Sequence, residues 1–163
     1  MSKGKSVVAA GHQLTAAAAA EILEDGGNAF DAALAATFMT FVAEAVFASP
    51  GGGGFLMARQ AGSDRCTLFD FFVDTPLQRR AGGEVSFFPI HADFGPAKQE
   101  FHIGLGASAT PGMAPGLFAV HEALCGLPMR RLVEPAVHAA RAGHERHHLG
   151  VLRERQVQHG SRS

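Results

Sequence analysis

Residues 29–45 constrain this chain more than any other stretch. They read Ala-Phe-Asp-Ala-Ala-Leu-Ala-Ala-Thr-Phe-Met-Thr-Phe-Val-Ala-Glu-Ala. The composition favours a helix, and that helix is apolar on nearly every face. A helix without a polar face must sit at the centre of a fold, covered on all sides. Asn28 is placed to cap its start. Asp31 falls in its first turn, where the helix dipole favours a carboxylate. Asp31, Thr37, Thr40 and Glu44 divide the run into pieces too short to span a bilayer of about 30 Å, so a buried helix is expected rather than a membrane span.

The flanking segments supply candidate cover. Residues 7–10 (Val-Val-Ala-Ala) predict a short buried strand. Thr15 is expected to cap an alanine-rich helix over 16–25, stopped by Gly26-Gly27. Ser49-Pro50 and Gly51, Gly52, Gly53 and Gly54 end the central helix. Residues 55–60 and 66–73 then predict two strands around a turn at 61–64. Both strands are more apolar than alternating, which predicts cover on both faces. Residues 75–100, punctuated by proline and glycine, read mostly as loop. A further strand is expected near 101–107, and helices over 117–125 and 132–142. The fold class is therefore α+β. No internal repeat is visible.

Charge excludes some functions. Fourteen basic and fifteen acidic residues among 163 give a net charge of −1. Neither nucleic acid nor an anionic membrane is an expected partner. The two cysteines, Cys66 and Cys125, form no metal spacing or disulfide framework and are expected as reduced, partly buried thiols. Lys3 and Lys5 precede a short apolar run that His12 and Gln13 break, so a cytoplasmic location is expected rather than export. From His138 onward the chain carries five Arg and five of its nine His. Residues 1–144 are read as the folded part and 145–163 as a basic, disordered tail.

Few motifs suggest chemistry. A phosphate loop follows a strand and opens a helix, whereas glycines 51–54 follow a helix and open a strand. They suit either a backbone that must approach something closely, a substrate or another element, or a tight helix-to-strand passage under a core. His144 and His148 are spaced for one helix face, but no third ligand is near, so no metal is expected. Gly106-Ala107-Ser108-Ala109 lacks the second glycine of a nucleophile elbow. His12 is a candidate base, although a lone histidine is more often structural.

Taken together, several runs resemble the start of the γ-glutamyltranspeptidase large subunit. They are Val7 through Thr15, Gly26-Gly27-Asn28-Ala29-x-Asp31-Ala32-Ala33, Gly51 to Phe55, and Asp70 through Pro76. The likeness resumes at Thr110-Pro111-Gly112 and runs through Leu117, Leu132, Glu134-Pro135-Ala136 and Ala140 to Gly143. It covers most of residues 5–144 and is weakest in the middle loop.

The resemblance implies a partial four-layer αββα N-terminal-nucleophile hydrolase fold. It implies γ-glutamyl acyl transfer by the N-terminal Thr of a separate small subunit, whose own α-amino group is the base. No cofactor or metal is implied. The nucleophile is not among the residues of this chain, so no catalytic residue is assigned and the chain is expected to be inactive alone. Gly51, Gly52, Gly53, Gly54, Phe72, Asp74 and Thr75 would border the substrate cleft. Phe72 stands where the family carries an Arg that grips the donor's α-carboxylate, and Phe cannot make that contact. Arg79 and Arg80 are the nearest cations that could substitute. The expected partner is a C-terminal small subunit, or a second copy meeting this one through exposed apolar faces. The alternative is a non-catalytic remnant or structural partner without γ-glutamyl specificity.

Overall fold

A computed structural model describes residues 6–78 and 85–143. The elements run in the order α1 (Gln13–Glu24), α2 (Ala29–Ala43), β1 (Gly54–Arg59), β2 (Cys66–Phe71), β3 (Phe88–Asp93), β4 (Lys98–Ile103), α3 (Met113–Leu124) and α4 (Met129–Ala142). The fold is mixed helix and sheet.

As its sequence demands, α2 is central. It packs against α1, α3 and α4, and no residue from 30 to 44 is exposed. Ile22 of α1, Leu34 of α2, Val120 of α3 and Leu132 of α4 are fully buried together in its surroundings. Each such side chain contributes about 1.5–3 kcal/mol by leaving water. Asn28 caps α2 in a full capping box: its Oδ1 accepts from the Phe30 and Asp31 amides, and the Asp31 carboxylate accepts from the Asn28 amide. Gly26 takes the left-handed conformation after α1, with φ of 91°.

The start of α1 departs from expectation. Its cap is His12, whose Nδ1 accepts the Leu14 amide at 3.1 Å. Thr15 is instead buried inside the helix and donates its hydroxyl to Glu44 at 2.8 Å. A threonine with a carboxylate across the helix pair gains more by bonding it than by capping. Residues 7–10 are not a strand: a strand needs a neighbouring strand, and among the described residues none pairs with them. Val8 nevertheless packs on the core.

β1 and β2 form an antiparallel hairpin, with Leu56 opposite Phe69 and Met57 opposite Leu68. Leu56, Phe69 and Phe71 face the core. Phe55, Met57, Leu68 and Phe72 are all more than half exposed, so only one face is covered within the described residues, where two were expected. Cys66, expected to be partly buried, is exposed at the start of β2.

Residues 75–100 are not loop throughout: among the described residues, 88–93 and 98–100 lie in strands and the rest are loop or turn. β3 and β4 form a second hairpin, closed by an amide bond from Phe94 to the Ala97 carbonyl. Ladder pairs alternate between bonded and non-bonded. Counting outward from Phe94 and Ala97 puts Pro89, opposite His102, at a non-bonded position, where its missing donor costs nothing to the ladder. Gly95, with φ of 84°, makes the turn. The proline and glycine that suggested loop are thus the edge and the turn of a hairpin. A short 3₁₀ turn follows at Leu105–Ala107, and the expected strand ends at Ile103. Both later helices start earlier than expected, at Met113 and Met129, and Pro135 lies buried inside α4.

Among the described residues no helix is long and apolar enough to cross a membrane, and no group of three or more His, Cys, Asp or Glu is placed to share a metal. The tail expected to be disordered, 145–163 with His148, lies outside the described residues, as does His144.

Candidate functional site

Three backbone segments meet beside the β1–β2 hairpin: the tetraglycine, the chain leaving β2, and the chain entering α3. The Gly52 carbonyl accepts from the amides of Gly112 at 3.2 Å and Met113 at 3.0 Å. The first amides of a helix lack partners within it, and α3 has no side-chain cap. Gly52 therefore caps α3 from outside. Asp74 and Thr110 exchange both backbone hydrogen bonds, at 3.1 and 2.7 Å.

The packing here leaves no room for side chains. A Cβ on Gly53 would lie 2.7 Å from the Phe71 carbonyl oxygen and the Val73 nitrogen. A Cβ on Gly112 would lie 2.2 Å from the same oxygen, and one on Gly116 2.2 Å from the Phe71 ring. A Cβ on Gly51 would approach nothing closer than 3.9 Å. Of the two readings left open for the tetraglycine, close approach to another element describes Gly53, with Gly52 tied to that element by its carbonyl. Gly54 meets the Phe71 ring, and Gly51 is free of such contact.

Phe72 and Asp74 are brought together. The Phe72 ring stacks on Phe55 at a centroid distance of 5.4 Å and 8° between planes. Its amide donates to Asp70 Oδ1 at 3.1 Å. Phe72, Asp74, Phe55, Asp70, Gly112 and Gly116 contribute to the lining of an open groove of about 650 Å³. Gly52 and Gly53 line a different, smaller recess under residues 45–49. Thr75 is exposed and lines neither. Arg79 and Arg80 lie outside the described residues.

Sequence reading missed Gly112 and Gly116, whose role appears only when α3 meets Phe71. It also missed how far Asp31 reaches. Beyond the capping box, Asp31 accepts from the amides of Gly126 and Leu127, both at 3.1 Å, while Asn28 Nδ2 donates to the Leu124 carbonyl at 2.9 Å. One side-chain pair thus caps α2 and holds the α3–α4 connection. Burial, then the Asp31 carboxylate, pushes the nearby Cys125 thiol up to about 12. His12, a candidate base, has one ring nitrogen committed to capping α1.

The γ-glutamyltranspeptidase family matches residues 15–157. The chain belongs to that family. It is 29% identical over 141 residues to the capsule biosynthesis protein CapD proenzyme of Bacillus anthracis, covering 86% of this chain and 22% of that protein. It is 31% identical over 138 residues to the glutathione hydrolase proenzyme of Pseudomonas aeruginosa, covering 83% of this chain and 23% of that protein. The fold matches that of a γ-glutamyltranspeptidase from Pseudomonas nitroreducens, solved in complex with L-DON, with a TM-score of 0.74 and 26% identity over 93% of this chain and 43% of that one. The chain therefore spans less than a quarter of the length of these curated relatives. As a γ-glutamyltranspeptidase-family chain, it uses the Asn28 and Asp31 of its Gly-Gly-Asn-Ala-x-Asp run to tie α2 to the α3–α4 connection.

Proposed function

We propose that this chain supplies part of the large-subunit side of a γ-glutamyltransferase or hydrolase acyl-transfer site and is inactive alone. The observation that carries the reading is the bare apolar face of β1–β2 beside the groove of Phe72 and Asp74. In a family member, the part of that face carrying Met57 and Leu68 is where a second sheet would stack, with Phe55 and Phe72 left at its edge beside the groove. The helices α1 to α4 would then be one outer layer of a four-layer αββα fold and β1–β2 part of an inner one. A small subunit would bring the hydroxyl nucleophile and its α-amino base, and this chain would shape the cleft and exclude water from it. CapD and the glutathione hydrolase match this chain at similar identity, so the family match leaves the acyl group open.

The test uses a chromogenic γ-glutamyl anilide and the purified chain, with and without a small subunit of the family. Turnover only after reconstitution is the expected result. Turnover by the chain alone would refute the assignment of the nucleophile to another segment. A second reading, a non-catalytic partner, is favoured by Phe72 in place of a carboxylate-gripping cation. No turnover in any combination would support it.

A further inference from the structure

The groove at the end of β2 has an unusual lining for a family that handles γ-glutamyl groups. Its lining includes the stacked pair Phe55 and Phe72, the acidic residues Asp70 and Asp74, and Pro115 and Ala119 of α3. Among the described lining residues there is no Lys, Arg or His. Asp70 spends one oxygen on the Phe72 amide. No described residue pairs with the Asp74 carboxylate, and the Asp74 backbone is held by Thr110. The groove therefore offers an aromatic face, 54 to 58% exposed, next to a negatively charged side chain whose backbone is held in place.

That combination selects a cation. Two carboxylates repel a third, and aromatic faces attract ammonium groups through their quadrupole. We propose that this groove is a binding subsite for a primary ammonium carried close to a flat apolar group, and that it disfavours carboxylates. The role of the subsite rests on the acyl-transfer reading above. There it would hold the amine-bearing end of an acyl donor that lacks a free carboxylate, with Phe55 and Phe72 covering the apolar part and Asp74 facing the ammonium. Both carboxylates are exposed, so the preference is electrostatically screened and falls with salt.

The test is direct binding to the full chain carrying Met57→Lys and Leu68→Glu, which are expected to keep it monomeric and lie outside the groove lining, read residue by residue in amide NMR spectra at pH 7 and low salt. Three probes share one shape: 2-phenylethylammonium, 2-phenylethanol and 3-phenylpropanoate. The expected result is that the ammonium probe shifts the amides of Phe72, Asp74, Gly112 and Gly116. The alcohol should bind roughly threefold to tenfold more weakly, the carboxylate more weakly still, and salt should narrow the gap. Asp74→Asn, an exposed and nearly isosteric change, should cost the ammonium probe a similar factor and leave circular dichroism unchanged. Phe55→Leu should weaken the ammonium and alcohol probes alike. Carboxylate binding as tight as ammonium binding would overturn the proposal, as would ammonium-induced shifts confined to other parts of the chain or absent at millimolar concentration. Failure of the anilide assay would remove the catalytic role and leave this binding result standing. A failed titration with successful reconstitution would remove the subsite and leave the acyl-transfer reading.

Discussion

Asp31 is a carboxylate with 1% of its surface exposed. Such a group survives burial only when its oxygens are satisfied. Here the amides of Asn28, Gly126 and Leu127 satisfy them. Asp31→Ala would leave these amides without that acceptor, and is expected to destabilise the chain by about 3 kcal/mol or more in urea denaturation. The neighbouring thiol adds a pH dependence. Cys125 is raised from 9.0 to about 12, by burial first and by Asp31 second. The folded chain then holds this proton more tightly than the unfolded one. Stability from this group is fully present below pH 9. Between pH 9 and 12 the unfolded chain ionises first, so that stability is lost as pH rises. Urea midpoints measured across this range should fall, and Cys125→Ala should flatten the fall. A slope unchanged by the substitution would assign the effect to other groups.

Elements are joined by backbone as much as by side chains. The β2–α3 junction depends on Gly52, Gly53, Gly112 and Gly116, where chain lies directly on chain. The tetraglycine looks uniform in sequence and is not uniform in space. Gly53→Ala and Gly112→Ala should each cost about 1–3 kcal/mol by overpacking. Gly51→Ala, with open space around it, should change stability by less than about 0.5 kcal/mol. Thermal melts of the three variants separate these outcomes, and equal losses at all three would refute the packing account. Arg131 of α4 bridges Glu21 of α1 and Asp25, which follows α1, as well as Glu134 on its own helix. Its partners are about half exposed, so the network registers α4 against α1 more than it stabilises them.

At the scale of the whole molecule, the outer face of β1–β2 is the dominant feature. Phe55, Met57, Leu68 and Phe72 form an apolar surface that water covers poorly. The chain alone is expected to self-associate in sedimentation velocity at micromolar concentration. Met57 and Leu68 face each other across the hairpin, so Met57→Lys with Leu68→Glu places an ion pair there. This double variant should sediment as monomer and keep its helical circular dichroism. Association that persists unchanged would place the contact elsewhere, the β3–β4 hairpin being the next apolar surface.

The sequence by itself determined the local structure wherever one segment carried the whole signal. Residues 28–43 contain their own cap, their own dipole partner and an apolar surface that admits only a central place. The first hairpin and the glycine stop after α1 were legible for the same reason. Elsewhere the signal was shared between distant segments. Residues 7–10 have strand composition, yet a strand exists only where another lies beside it. Pro89 and Gly95 look like loop until their register on β4 is known. Thr15 was a plausible cap until Glu44 came within reach. The candidate site shows the same division. Phe72 and Asp74 could be named from the motif around them, but their groove exists only because Gly112 and Gly116 let α3 lie against Phe71. Side-chain propensities act over a few residues, whereas close backbone packing is decided by segments that sequence separates and the tertiary fold brings into contact.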